Sequence, residues 1–320
     1  MFRTRITELF GVEFPIIGGT MMWLSTPELT AAISEAGGLG ILCSAMFREK
    51  EALRDAIRRI RELTAKPFAV NLNLFPMMSP IDNNEVIDVF VDEGIRFVET
   101  SGHRAPEEYM ERLKKEGMTV VHKCVGIRYA RKAASIGVDA VTVVGYENGG
   151  ATGKLDIATL VLVPAVVDAV DVPVIGGGGV ADGRGFLALL SLGAEGVIIG
   201  TRLLVTKECP LHPDVKAALI EATELDTRLV MRSLDATHRV WSNEAARKVV
   251  ESEKGQPELN EILALVSGEK ARKTMFDGEL DAGVLACGQA IGLVHEELTV
   301  TEMIRGIAGK AEEMHRRLEA

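Results

Sequence analysis

Two glycine-bearing segments carry the chemistry most legible in this sequence. Gly176 to Gly179 follow the apolar run Val172–Ile175 and precede Val180-Ala181-Asp182-Gly183. Some twenty residues on, Gly196-Val197-Ile198-Ile199 ends in Gly200-Thr201-Arg202. Each is an apolar strand that stops at a residue without a Cβ. Such loops expose backbone N–H groups, and a following helix N-terminus favours an anion. Two in succession can grip one phosphate from two sides, through Gly178-Gly179 and Gly200-Thr201. A (β/α)₈ barrel keeps such a phosphate site after its seventh and eighth strands. A plainer reading is that the glycines only mark strand ends.

The rest of the chain supplies the strands such a barrel needs. Short apolar runs recur at Phe14–Ile17, Leu39–Cys43, Phe68–Leu72, Arg96–Thr100, Thr119–Lys123 and Ala140–Val144, before the two above. Between them lie segments of helical period. These include one opened by Thr26-Pro27, the charged Glu49–Leu63, Asn84–Glu93, Pro106–Glu116, Ile127–Ile136 and Leu160–Ala169. Thr26 is a candidate N-cap and Pro27 suits the first helical position. Eight strands alternating with helices predict a TIM barrel, with a doubly wound open sheet as the alternative. Glu208–Lys273 departs from the pattern. It is charged and of helical period, notably over Lys216–Met231 and Asn243–Glu253. The expected organisation is a barrel of residues 1–207 and 284–320, with a smaller, mainly helical substrate-side domain, 208–283, inserted after the eighth strand. The final helix is expected to cover the outside of the barrel.

Composition narrows the function. The chain has 320 residues, 47% of them apolar, and a net charge of −10. That supports a large core and no basic surface for nucleic acid. No apolar run reaches the length of a membrane span, and MFRTRITELFG lacks the apolar centre of a signal peptide. Cys43, Cys124, Cys209 and Cys287 are scattered without a CxxC pair, and the six histidines form no ligand motif, so no metal is expected. The expected setting is cytoplasmic, with small-molecule partners and a homodimer as the oligomeric expectation.

Barrel active sites gather beyond the C-terminal ends of the strands. That rule brings together Gly19, Thr20 and Met21, then Asn71, then Glu99 and Thr100, then Lys123, then the loop Gly145–Gly153. The set suits flavin mononucleotide (FMN), with its phosphate on the two glycine loops and its ring across the mouth. Backbone at Thr20-Met21 and the Asn71 amide are candidates for the pyrimidine edge, and Lys123 for negative charge on the reduced ring. The protein would orient and tune a cofactor that carries the redox chemistry. Alone, Asn71 reads equally as a loop or cap amide and Lys123 as a surface charge. Met22 and Trp23 are candidates for an acceptor pocket, or for simple packing.

In the order and spacing of several segments the chain resembles the nitronate monooxygenase superfamily, including its FMN-dependent NADH:quinone reductase branch. The segments are FRTRITELFGVEFPIIGGTM, AISEAGGLG, KPFAVNLNLFP, VVHKCVGIRYARKAASIGVDAV, GYENGGATG, ADGRGFLALLSLGAEGVIIGTRLLVTKECPLHP, LVMRSL and GQAIGLV. The resemblance implies an FMN-bearing barrel with a second domain beside its mouth. It implies that Gly19–Met21, Asn71 and Lys123 meet the flavin edge and that Gly149 and Gly150 approach the ring. It also implies that Gly178, Gly179, Gly200 and Thr201 hold phosphate and that Gln289 lies on a late loop near the flavin. The chain departs from that family at Ala151, where members commonly carry histidine in GxExxGHxG. Alanine moves no proton, and Thr152 beside it is an unactivated alcohol. The resemblance therefore implies an oxidoreductase that passes electrons from NAD(P)H through flavin N5 to an acceptor such as a quinone. Two alternatives stand beside it: oxidation of alkyl nitronates with oxygen, and a flavin-binding barrel with little turnover. Met22, Trp23, Ala151 and Thr152 form the expected substrate pocket, and Lys123 is the expected catalytic residue.

Overall fold

The computed structural model describes residues 2–75, 82–255 and 259–319. Eight parallel strands form the barrel: β1 (Ile16–Gly18), β2 (Gly40–Cys43), β3 (Phe68–Asn73), β4 (Phe97–Ser101), β5 (Thr119–Cys124), β6 (Ala140–Val144), β8 (Val174–Gly177) and β9 (Gly196–Ile199). The strand order is β1-β9-β8-β6-β5-β4-β3-β2. Leu39 closes the ring, donating its N–H to Ile16 O at 2.9 Å and accepting from Gly18 N at 2.9 Å. The barrel is therefore a TIM barrel, and the open-sheet alternative does not hold.

Alternation along the strands sorts their side chains between two cores. Ile17, Ile41, Ala69, Phe97, Val121, Ile175 and Ile198 form one buried cluster with Ile6 and Phe10. These are the inward positions. Their neighbours Ile16, Leu42, Val70, Val98, Val120, Val174 and Val197 join the buried helical residues in the other cluster. The helix Arg5–Phe10 belongs to the inner core. Thr4 caps it in a reciprocal box with Thr7, and Phe10 meets Phe97 edge-on at 5.2 Å. The strand ends differ from expectation by one or two residues, and β6 and β9 match it. The last helix, Val300–Glu319, packs against Gly183–Ser191 on the barrel's outside, as expected.

The insertion is a mixed structure. It has the expected helix Glu244–Glu253, capped by Asn243, and the helices Pro213–Ile220, Leu259–Leu265 and Gly268–Arg272. The helical period expected over Lys216–Met231 breaks at Ile220, and Thr227–Val230 is a strand, β10. It pairs antiparallel with β11 (His238–Trp241). β11 then pairs with the two-residue strand β7 (Gly150–Ala151) of the loop after β6. This sheet is completed by a partner distant in sequence, which a local period cannot reveal. Of the expected 208–283 domain, residues 256–258 lie outside the described residues. Leu24 and Ala181 from the barrel rim share a buried cluster with Leu204, Leu211, Val215, Met275 and Leu285. No helix among the described residues is long and apolar enough to cross a membrane.

Candidate active site

A step of two residues along three neighbouring strands turns an apolar layer into a polar one. Ala69, Phe97 and Val121 face inward, so Asn71, Glu99 and Lys123 face inward one layer nearer the mouth. The ladder sets Asn71 beside Glu99, and Ser101 beside Lys123. Glu99 is the hub and is only 2% exposed. Its Oε1 pairs with Lys123 Nζ at 2.8 Å. Its Oε2 accepts from Asn71 Nδ2 at 2.7 Å and from the Thr20 hydroxyl. Asn71 Nδ2 also reaches Ser101 Oγ at 3.0 Å. A buried carboxylate needs such partners, because desolvation otherwise exceeds what burial returns.

This geometry changes the reading of Lys123. Its charge is paired with Glu99, so the cation brings no uncompensated charge to the mouth. Glu99 itself was legible as an acid ending a buried strand, but its role as the common partner of Thr20, Asn71 and Lys123 appears only after the barrel closes. On the outer, helix-facing side of the same two strands, His122 Nδ1 bonds Thr100 Oγ1 at 2.9 Å. Burial pushes this imidazole down to about 4, against the opposing charge of Glu99. It is a neutral structural group.

The first loop is held by Ser25. Met21 N donates to Ser25 Oγ at 2.9 Å, and Ser25 N donates to Met21 O at 2.9 Å. Trp23 adopts a left-handed backbone with φ 68°. For a bulky side chain this is a costly conformation, of the kind that gathers at functional sites. Arg272 of the insertion stacks over its ring at 5.1 Å. Met22 is 38% exposed, and its sulfur lies 3.9 Å from Cys43 Sγ. Trp23 thus ties the mouth to the insertion, while Met22 faces outward.

The two glycine loops form the opposite side. Gly178 and Gly179 take φ +100° and +77°, which explains why both are glycine. A Cβ on Gly179 would meet nothing nearer than Glu147 at 3.7 Å, and one on Gly200 nothing nearer than Met21 Sδ at 3.9 Å. Among the described residues, the N–H groups of Gly178, Gly179, Gly200 and Thr201 donate to no protein acceptor. Four free donors, with open space beside Gly179 and Gly200, fit the phosphate of a cofactor such as a flavin nucleotide. Thr201 Oγ1 accepts from Gly288 N at 2.8 Å, which leaves its proton for another partner.

The loop after β6 joins these parts. Glu147 accepts from Thr159 N at 3.0 Å and from its hydroxyl at 2.8 Å. Gln289 N donates to Glu147 O at 3.0 Å. A Cβ on Gly149 would lie 2.7 Å from Gly288 N, so this glycine lets the late loop approach. Gly150 has φ +78° and pairs with Arg239. Arg239 is 3% exposed and lies over the Tyr146 ring at 4.5 Å. Its Nε donates to Tyr146 O and its Nη1 to Thr227 Oγ1, each at 3.0 Å, while its buried Nη2 has no partner. Sequence reading passed over Arg239, whose signal, a cation in an apolar strand, needed the hairpin to be recognised. Ala151 and Thr152 follow Gly150, and Thr152 N donates to Thr237 O at 3.1 Å. All the expected site residues therefore lie at one end of the barrel. No group of three or more His, Cys, Asp or Glu among the described residues could hold a metal. All four cysteines are free and buried.

Similarity to known proteins defines the chain as a flavin-dependent oxidoreductase, here built on a TIM barrel. The nitronate monooxygenase family pattern matches residues 3–309. The chain belongs to the nitronate monooxygenase family. It is 34% identical to a Rhodococcus jostii protein named (3aS,4S,5R,7aS)-5-hydroxy-7a-methyl-1-oxo-octahydro-1H-indene-4-carboxyl-CoA dehydrogenase, over 97% of this chain and 96% of that one. It is 29% identical to a probable nitronate monooxygenase of Staphylococcus saprophyticus, over 98% and 99% of the two chains. Among solved structures, FabK from Thermotoga maritima superposes with a TM-score of 0.92 at 36% identity, covering 100% of this chain and 99% of that one. A nitroalkane oxidase from Streptomyces ansochromogenes does so with a TM-score of 0.84 at 25% identity, covering 98% and 99%.

Proposed function

We propose that the protein is an FMN-dependent oxidoreductase that takes electrons from NAD(P)H and delivers them to a small organic acceptor such as a quinone. The observation that carries this reading is the set of four free N–H groups on two successive loops, at the same barrel end as the Glu99-centred polar layer. When bound, FMN supplies the two-electron chemistry through its N5. The N–H groups of Gly178, Gly179, Gly200 and Thr201 hold its phosphate, with the Thr201 hydroxyl as a further donor. Asn71 gives its N–H to Glu99 and keeps its carbonyl oxygen for the ring edge. Lys123, oriented by Glu99, keeps N–H groups for the same edge. Backbone at Gly19–Met21, the close-approach glycines Gly149 and Gly150, and Gln289 complete the proposed contacts. Met22, Trp23, Ala151 and Thr152 border the acceptor. FMN is favoured over FAD because the sequence has no dinucleotide-binding βαβ fingerprint. The proposed partners are the donor and acceptor alone, in a reducing, cytoplasmic setting.

A second reading, oxidation of an alkyl nitronate with oxygen, is supported by the family membership and by the Streptomyces relative. One experiment addresses both. The purified flavoprotein is mixed anaerobically with NADH or NADPH, then offered a quinone, a nitronate or an acyl-CoA. Acid-released FMN, bleaching by a nicotinamide and reoxidation by quinone are expected. Stoichiometric FAD, or a flavin that neither nicotinamide reduces, overturns the first reading. Nitronate turnover without nicotinamide reduction supports the second.

A further inference from the structure

Ala151, in the loop after β6, carries only a methyl group, but the strand beside it carries an imidazole. In the antiparallel pair of β7 and β11, His238 stands directly opposite Ala151. Residues opposite one another in such a pair point to the same face, with Cβ atoms about 5 Å apart. The strand carrying Ala151 belongs to the loop whose Glu147 borders Gly179 and holds Gln289. His238 is half-buried.

Its hydrogen bonding also determines its proton. His238 Nδ1 lies 2.7 Å from the carbonyl oxygen of Ala236. A carbonyl only accepts, so Nδ1 carries the hydrogen and the neutral ring keeps its lone pair on Nε2. Among the described residues Nε2 has no protein partner. We infer that His238 is a base of the acceptor pocket, reaching from the insertion across the Ala151 methyl to take a proton from a carbon acid through Nε2. The substrate class is a compound whose C–H is acidified by an adjacent nitro or thioester carbonyl group. The C–H bond breaks, the proton passes to Nε2, and the electron pair moves onto the nitro or carbonyl oxygen. No oxidant enters this step.

The surroundings keep the ring in its basic form. Burial lowers the pKa of His238 from its ordinary value, the Ala236 carbonyl opposes that shift, and the charge of His103 adds to it. His103 is exposed in the loop after β4, the strand that carries Glu99, and stands edge-on to Phe75 at 4.9 Å. Through its pairing with Ala151, His238 lies beside the sixth barrel loop, on the side of the barrel mouth where an acceptor would enter.

The inference rests on the proposed function only in placing the reacting carbon at this mouth, and its test needs no redox turnover. The flavoprotein is incubated in D₂O with a neutral nitroalkane, and loss of the α-proton is followed by NMR. His238→Asn keeps a donor for Ala236 and removes the base. Exchange is expected to fall at least about 100-fold, the usual contribution of a positioned base. Reactivity toward the preformed nitronate, flavin content and bleaching by NAD(P)H should stay unchanged. Adding Ala151→His to His238→Asn should restore exchange, because the new ring rises from the same face. In ¹⁵N spectra of the holoenzyme at pH 7, His238 should be neutral with its hydrogen on Nδ1. Wild-type exchange no faster than buffer, equal loss toward nitroalkane and nitronate, full exchange in His238→Asn, or an Nε2–H ring overturns the assignment. Failure of nicotinamide bleaching alone overturns the electron-donor reading and leaves the exchange result to decide His238.

Discussion

Replacing Lys123 by methionine strands Glu99. In the native barrel the side chain of Glu99 is 3% exposed and that of Lys123 is 20% exposed, with 2.8 Å between the charged atoms. Removing one partner of a buried ion pair costs about 3 to 5 kcal/mol, because the other charge is left without compensation. Here Asn71 and Thr20 still donate to Glu99, and Lys123 has partial access to water, so the cost should fall at the low end, about 3 kcal/mol. Glu99→Gln leaves a cation that can turn toward solvent, and should cost about 1 to 2 kcal/mol by the same reasoning. The double variant carries no buried charge and should cost little more than the weaker single change. The predicted coupling is therefore about 2 to 3 kcal/mol, well outside the ~0.5 kcal/mol scatter of independent sites. Urea denaturation at pH 7 of the four proteins measures it. All should be saturated with the same cofactor, since bound ligand adds its own stabilisation. Single-variant losses that simply add in the double variant would show that Lys123 and Glu99 do not act as a pair.

Two further outcomes are expected. Gly179→Asp should lose bound flavin with the fold retained, because it puts a carboxylate beside the proposed phosphate and near Glu147. Gly179→Ala shares the φ of +77° and separates backbone strain, about 1 kcal/mol, from charge. Flavin titration with circular dichroism checks both, and undiminished affinity in Gly179→Asp would remove Gly179 from the phosphate site. His122 gives a pH signature. Its folded pKa of about 4 lies below the ordinary value of 6.5. Its neutral form is therefore favoured by folding, with the benefit complete above pH 6.5 and lost as pH falls toward 4. The 2.5-unit difference corresponds to about 3 kcal/mol. His122→Gln should flatten stability between pH 6.5 and 4, and an unchanged pH slope would count against burial as the cause.

Much of this architecture is written locally. Alternating apolar strands and capped helices specify the barrel, since period 2 and period 3.6 leave marks a few residues long. Glycine at 178 and 179 marks the proposed phosphate loop, because the positive φ angles there exclude most other residues. Asn71 and Lys123 were readable as polar residues ending apolar strands. What they do was not. Lys123 looked like a free cation until β4 and β5 paired and Glu99 came within 2.8 Å. The segment Lys216–Met231 read as helix because β10 takes its structure from β11, and β11 from β7. Ala151 read as a departure from the family's histidine, and the sequence did not show what stands beside it. Its neighbour in space, His238, lies far along the chain, and only antiparallel register brings the two to one face. Local period and backbone sterics act over a few residues and can be read in order. Ion pairing and strand partnership depend on which distant groups closure brings within a few ångströms, and those the tertiary structure alone decided.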